Sequence, residues 1–303
     1  MSPRHFALLF AVCFIWGVNF VIAKWSVSGT PVIVEGFEGA PPLFFAFMRF
    51  ALLYAILAPW LRPTPKQMGP VFGAALAMGA VQFALLFIGL RYATPSAIAI
   101  VVQLSVPFTT ILSILFLSER VGLIRASGMA MAFLGAALVV FKPAEFSFTI
   151  GLLAGVGAAL SAAAGAIFVK RVPLKPIQLQ AWIGLISWPP LRALSLIMGQ
   201  DQFADEVAGG WRVFLTLVFT VALVNVFGHG AFYWLLKRYD ASMIAPMTLM
   251  APLIGVISGV VLLGDPVTWQ LVAGGVLALI GVGVVAARRS RAQAATTVLG
   301  KPR

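Results

Sequence analysis

Ten apolar runs, each about as long as a helix that crosses a bilayer, follow one another along this 303-residue chain. A crossing helix takes about 20 residues. Gly, Pro and charged clusters cut the runs at 6–25, 42–61, 68–90, 96–117, 124–141, 150–170, 177–198, 211–236, 242–263 and 267–287. Each is apolar nearly all round and shows no sustained alternation, so helices that satisfy their own backbone are expected rather than a β-barrel. With 61% hydrophobic and only 10% charged residues and a mean hydropathy of +1.02, the chain has too little polar surface to cover a water-soluble globule. The expected fold class is an all-α membrane protein with ten transmembrane helices.

Charge then sets the topology. An even number of spans puts both termini on one side, and fifteen of the 21 Lys and Arg fall there, against five on the other side and Arg49 inside a span. That bias places both termini in the cytoplasm. It also accounts for the net charge of +12 without nucleic acid, because the basic residues sit between apolar runs rather than on one patch. Cys13, the single cysteine, excludes an intramolecular disulfide and reads as a packed small hydrophobe. The start of the chain carries no small-residue cleavage site after a short apolar region, so the first run reads as a retained helix.

The two halves echo each other at an offset of about 146 residues. Tyr92, Pro107, Leu117-Ser118-Glu119 and Gly135 recur as Tyr239, Pro252, Leu263-Gly264-Asp265 and Gly281, and Lys24 recurs as Lys170. Five spans per half force the second half to enter the membrane from the opposite face. Such inverted repeats characterise transporters, with the substrate site at the repeat interface near the midplane. The division expected is 6–141 for the first repeat, 150–287 for the second and 288–303 for a basic cytoplasmic tail. Pro107 and Pro252, near the middle of spans four and nine, read as paired hinges or as static kinks. Gly151 with Gly155 and Gly255 with Gly259 have the GxxxG spacing of close helix contact.

Phe14-Ile15-Trp16-Gly17-Val18-Asn19-Phe20-Val21, Arg49-Phe50, Pro107, Leu117-Ser118-Glu119-Arg120 and Pro252 with Leu262-Leu263-Gly264-Asp265 together resemble the EamA branch of the drug/metabolite transporter superfamily. The resemblance covers nearly the whole chain as two five-helix EamA modules. Gln82-Phe83-Ala84, Lys237-Arg238-Tyr239 and Ala245-Pro246 look more particularly like bacterial exporters of cysteine and O-acetylserine. It implies an inner-membrane protein whose spans one, three, four, six, eight and nine line the path, with five and ten peripheral. Two features depart from the family pattern: the 26–41 segment is longer and more acidic, and Asp265 stands where Glu is typical.

Polar side chains at membrane depth are costly and are functional candidates by default. Trp16 and Asn19 in span one, Gln82 in span three, Gln103 in span four, and Asn225, His229 and Tyr233 four residues apart in span eight are therefore expected to line a substrate cavity with amides and aromatic walls. The alternative is that the amides cross-link helices. Arg49, about 10 Å inside the end of span two, reads two ways. It binds a substrate carboxylate, or it is structural, paired with Glu35 or Glu38 or satisfying helix-end carbonyls. No acid lies centrally in a span, so His229 is the one candidate for proton coupling; without it transport is uncoupled.

An enzyme is disfavoured. HExxH, GxSxG, Walker A and an intramembrane Asp pair are all absent, and His5 and His229 are the only histidines, which leaves metal hydrolysis, triad chemistry and ATP-driven pumping without parts. No cofactor or metal is implied. The reading is an exporter of small polar metabolites, most simply amino acids or their derivatives, working by alternating access as a monomer or homodimer. A lipid or lipid-linked flippase of the same architecture is the alternative.

Overall fold

The computed structural model describes residues 1–29, 37–117, 121–142, 147–169, 171–172, 174–199, 203–236, 238–239 and 247–299. Side chains within 203–209 and 286–299, among others, fall outside that description. The helical segments are α1 Pro3–Ser28, α2 Pro42–Leu61, α3 Met68–Tyr92, α4 Pro95–Phe116, α5 Leu123–Val140, α6 Ile150–Val169, α7 Pro176–Ile197, α8 Gly210–Phe232, α9 Met250–Leu263 and α10 Trp269–Leu299.

Among the described residues, α1, α2, α3, α4, α6 and α8 are six helices long and apolar enough to cross a membrane, and Ala126–Val139, Met250–Leu263 and Trp269–Val285 are shorter apolar helices. Helix α7 is as long but carries Gln178, Gln180, Arg192 and the Pro189-Pro190 pair. The chain is a multi-pass membrane protein. Large apolar side chains turned outward, such as Leu115 and Val261, are natural against lipid and costly against water. A two-residue antiparallel ladder, Phe141 opposite Phe148 and Lys142 opposite Ser147, is a small exception to the all-helical expectation. The stretch expected as a tail from 288 continues α10 as helix to Leu299.

Local sequence accounts for the helix ends. Ser2 and Thr94 accept backbone N–H bonds from His5 and Ala97, with Pro3 and Pro95 next to them, where a missing donor costs nothing. Gly29, at φ 63°, closes α1 in the left-handed conformation that an L side chain resists. Inside the helices, the hydroxyls of Ser26, Thr109 and Thr220 donate to carbonyls four residues back, as suits a medium that offers no water.

The packing follows the repeat. Helix α5 lies against α10 and α2 against α7, while α1 pairs with α9 as α6 pairs with α4, and α3 with α6 as α8 with α1. Exchanging each helix with the one five places on leaves this set unchanged. The α5–α10 seam shows why. A Cβ on Gly135 would lie 2.5 Å from the Gly274 carbonyl, and one on Gly281 would lie 2.5 Å from that of Gly128. Those four glycines stand 146 apart in pairs, so one seam is built twice. The two spacings noted in the sequence also pack closely: Gly155 meets Ile98 and Val101, and Gly255 meets Ala99 and Phe20.

One end of the bundle is tied by polar bonds, and those between Asp265 and Ser96 join the two halves. Asp265, at the end of α9, accepts from the Ser96 N–H at 3.0 Å and the Ser96 hydroxyl at 2.6 Å at the start of α4. Beside it, Lys24 Nζ donates to the Arg91 carbonyl and Arg91 Nη1 to the Val27 carbonyl. At the other end, His5 Nδ1 lies 2.6 Å from the Tyr239 hydroxyl, and the Arg238 guanidinium sits 3.8 Å over the Trp234 ring.

Candidate functional site

Two of the helices that border the central cavity are wound irregularly there. Leu76–Val81 within α3 and Phe219–His229 within α8 are π-helical, a winding that widens the turn and disturbs the carbonyl register. At the first of these stretches neighbouring hydroxyls take up the carbonyls: Ser187 on α7 donates to Ala75 at 3.0 Å and Ser161 on α6 to Ala77 at 2.8 Å. Gly79 leaves room for the approach, since a Cβ there would collide with Ser187. In α4, Val102–Leu104 is a 3-10 turn. Pro107 follows it and cannot supply the N–H that the Gln103 carbonyl would otherwise accept.

These distortions surround a cavity of about 270 Å³. Helix α1 contributes Trp16, Asn19 and Phe20; α2 Arg49 and Phe50; α3 Met78, Gln82, Phe83 and Leu86; α4 Gln103. From the second half come Gln180 and Ile183 of α7, Val224, Asn225 and His229 of α8, and Ala251 and Pro252 of α9. A narrower pocket of about 40 Å³ shares Gln180, Asn225 and His229 and runs on to Leu57 and Pro176, toward the end of the bundle opposite Asp265.

The geometry within the cavity is specific. Trp16 Nε1 donates to the Val224 carbonyl at 3.3 Å, and its ring lies 5.1 Å from the His229 ring and 5.4 Å from Phe232. The Thr220 hydroxyl sits 3.4 Å from Asn19 Oδ1. Gln82 Oε1 is buried with no hydrogen-bond partner. Asn225, 4% exposed, accepts from Arg49 Nη2 at 2.7 Å. The Arg49 guanidinium lies 4.1 Å over the Phe83 ring.

Six of the polar residues singled out in the sequence, Trp16, Asn19, Gln82, Gln103, Asn225 and His229, thus face one space. The Tyr233 side chain lies outside the described residues. Arg49 does not pair with Glu38, which is exposed, and Glu35 lies outside the described residues; among the described residues its hydrogen bond goes to Asn225 rather than to helix-end carbonyls. Pro107 is buried but does not border the cavity. Pro252 does, yet it stands in the first turn of α9, where a proline breaks no backbone bond, and not in mid-helix. Among the described residues the lining departs from the expected set of helices: α2 and α7 take part, and no residue of α5, α6 or α10 borders the cavity. Gln180 was missed in the sequence. An amide four residues after Pro176 reads there as a helix-end residue, although its type was the available signal. Among the described residues, no group of three metal-ligating side chains occurs.

The EamA-like transporter family model matches residues 5–141 and again 149–287. A probable amino-acid metabolite efflux pump of Salmonella typhimurium is 30% identical over 93% of this chain and 94% of its own length. Its namesake in Escherichia coli K12 is 28% identical over the same shares. An uncharacterized transporter of Archaeoglobus fulgidus is 26% identical over 90% of this chain and 95% of its own. A solved crystal structure, 17% identical, covers 97% of this chain and 99% of its own with a TM-score of 0.58, a likeness of fold alone.

Proposed function

This chain belongs to the EamA-like transporter family and is a membrane transporter, not an enzyme; from that premise we propose that it exports amino acids or closely related small polar metabolites by alternating access. The observation that carries the reading is the cavity between the two repeats, where amides from both halves meet aromatic walls. Trp16, Asn19, Gln82, Gln103, Asn225 and His229 bind the solute in this reading, with Tyr233 further along α8. A volume of about 270 Å³ lies at the small end of ligand pockets, which run to about 1,000 Å³, and this favours a metabolite over a lipid headgroup with its tails. The names of the Salmonella and Escherichia relatives point to the same class of solute.

Ten spans with both termini cytoplasmic are part of the proposal, supported by the charge bias of the loops. In that orientation the Asp265–Ser96 contact closes the outer end, and the narrow pocket past Gln180 leads inward. Exchange of this contact for an opening, as α9 and α4 move apart, is the outward step. Pro107 and Pro252 are the proposed hinges. Among the described residues no acidic side chain borders the cavity; this supports a cycle driven by the solute gradient, with His229 as a wall residue.

Counterflow into proteoliposomes with labelled cysteine, threonine and methionine, with and without an imposed pH gradient, tests this. Saturable exchange independent of the gradient is the expected result, and His229→Ala, which removes a wall contact, weakens the exchange without making it depend on the gradient. Exchange that needs the gradient and is lost in the variant refutes uncoupled transport, and no exchange of any amino acid refutes the substrate class.

A further inference from the structure

Arg49 is 1% exposed, and a guanidinium is charged at any physiological pH. Of its five N–H donors, one Nη2 hydrogen reaches Asn225 Oδ1 at 2.7 Å. Nε and Nη1 are buried with no hydrogen-bond partner. Among the described residues no acidic side chain lies on the cavity wall, and Asp265, the one buried acid among them, is held by Ser96 at the end of the bundle. The Phe83 face at 4.1 Å, with Phe87 and Phe50 near 6 Å, offsets only part of the cost of burial. A buried cation without a counter-charge is expensive, and at membrane depth such a group faces the pathway it serves.

We infer that Arg49 is the carboxylate anchor of this cavity, and that what the protein transports must carry a carboxylate. This rests on the small-metabolite reading above and sharpens it. The geometry supplies a grip as well as a charge. The Nη2 hydrogen not given to Asn225 and the free N–H beside it form a two-pronged donor, the arrangement that binds a carboxylate through both oxygens. Asn225 positions the fork by accepting from Nη2, and Phe83 fixes its plane. The Gln82 amide, next to Phe83 on α3 and itself short of a partner at Oε1, is placed to accept from an ammonium at the other end of a zwitterion.

The experiment measures displacement of labelled methionine from the reconstituted full-length protein by three probes: methionine, its carboxamide, and the desamino acid 4-methylthiobutanoate, each also scored for thermal stabilisation of the protein. The expected order is methionine, then the desamino acid, with the carboxamide weaker than methionine by about 10- to 100-fold, as for loss of a charge-assisted pair. Arg49→Gln removes that preference. Asn225→Asp presents Arg49 with a carboxylate from the protein itself; it is expected to raise the melting temperature while abolishing binding of both acids, a pairing of effects that damage to the fold does not produce.

A carboxamide that competes as well as methionine, or an Asn225→Asp protein that binds the acids as before, overturns the inference and leaves amino-acid-type export standing. Absence of methionine binding together with Arg49-dependent stabilisation by 4-methylthiobutanoate overturns the amino-acid reading and leaves the carboxylate anchor standing. Stabilisation by no carboxylate at all overturns the anchor.

Discussion

Asp265→Ala removes the acceptor of two hydrogen bonds at a site 8% exposed. The Ser96 hydroxyl, 2.6 Å from Oδ2, has the Val256 carbonyl at 3.2 Å as an alternative; the Ser96 N–H, at 3.0 Å, has no second partner. A bond to a charged acceptor is worth about 1.5–3 kcal/mol, and loss of an acceptor at a helix start about 0.5–2 kcal/mol. The variant is therefore expected to lose about 2–5 kcal/mol. Asp265→Asn, which keeps a neutral oxygen in place, should lose about half as much. Ser96→Ala removes only the hydroxyl bond and should cost about 1–2 kcal/mol, a cost that falls when Asp265 is already Ala to that of the weaker bond to the Val256 carbonyl. Equilibrium unfolding of the four proteins in mixed micelles closes the cycle. Single effects that add to within about 0.3–0.5 kcal/mol, or a cost of Asp265→Ala under about 0.5 kcal/mol, would refute the claim that this contact joins the two halves.

Other expectations follow from single contacts. Gly135→Ala pushes a Cβ to 2.5 Å from the Gly274 carbonyl and should cost about 1–3 kcal/mol by overpacking, whereas Gly69→Ala, with nothing within 4 Å, should be neutral or stabilising in the same unfolding assay. Trp16→Phe keeps the ring beside His229 but gives up the bond to the Val224 carbonyl, an expected loss of about 0.5–1.5 kcal/mol. Cys13, fully buried, should resist maleimide in the folded protein and react on denaturation; fast labelling of the native protein would contradict its placement.

The fold was legible where the physics is one-dimensional. Run length and apolarity mark a crossing helix whatever its neighbours do, and the six long apolar spans lie where the runs predicted them. The 146-residue recurrence survives because the α5–α10 seam needs small residues at matched places in both halves. Polar residues at membrane depth were visible for the same reason: lipid makes them conspicuous. Helix rotation was not legible. A run that is apolar all round has no preferred face, so nothing in α2 said that Arg49 turns toward Asn225 rather than Glu38, and nothing in α6 excluded it from the cavity. The π stretch Leu76–Val81 is met by hydroxyls from other helices, Ser187 and Ser161, and so has no local signal. The cavity also departs from the repeat. At the offset that aligns Lys24 with Lys170, Trp16 and Asn19 correspond to Ala162 and Gly165, and Gly165 makes room for Met78. Symmetric packing builds the scaffold, while the cavity wall is drawn unevenly from the two halves.

Whether this cavity is the place where solute crosses is tested most directly by filling it. Asn19→Trp adds a large ring on the α1 wall, while Leu115→Trp, at a position 68% exposed on α4, puts the same ring on a lipid-facing surface. Methionine counterflow in proteoliposomes carrying equal amounts of each folded protein should fall by at least about tenfold for the first, the equivalent of about 1.4 kcal/mol, and hold near wild type for the second. Equal counterflow by both would contradict transport through this cavity.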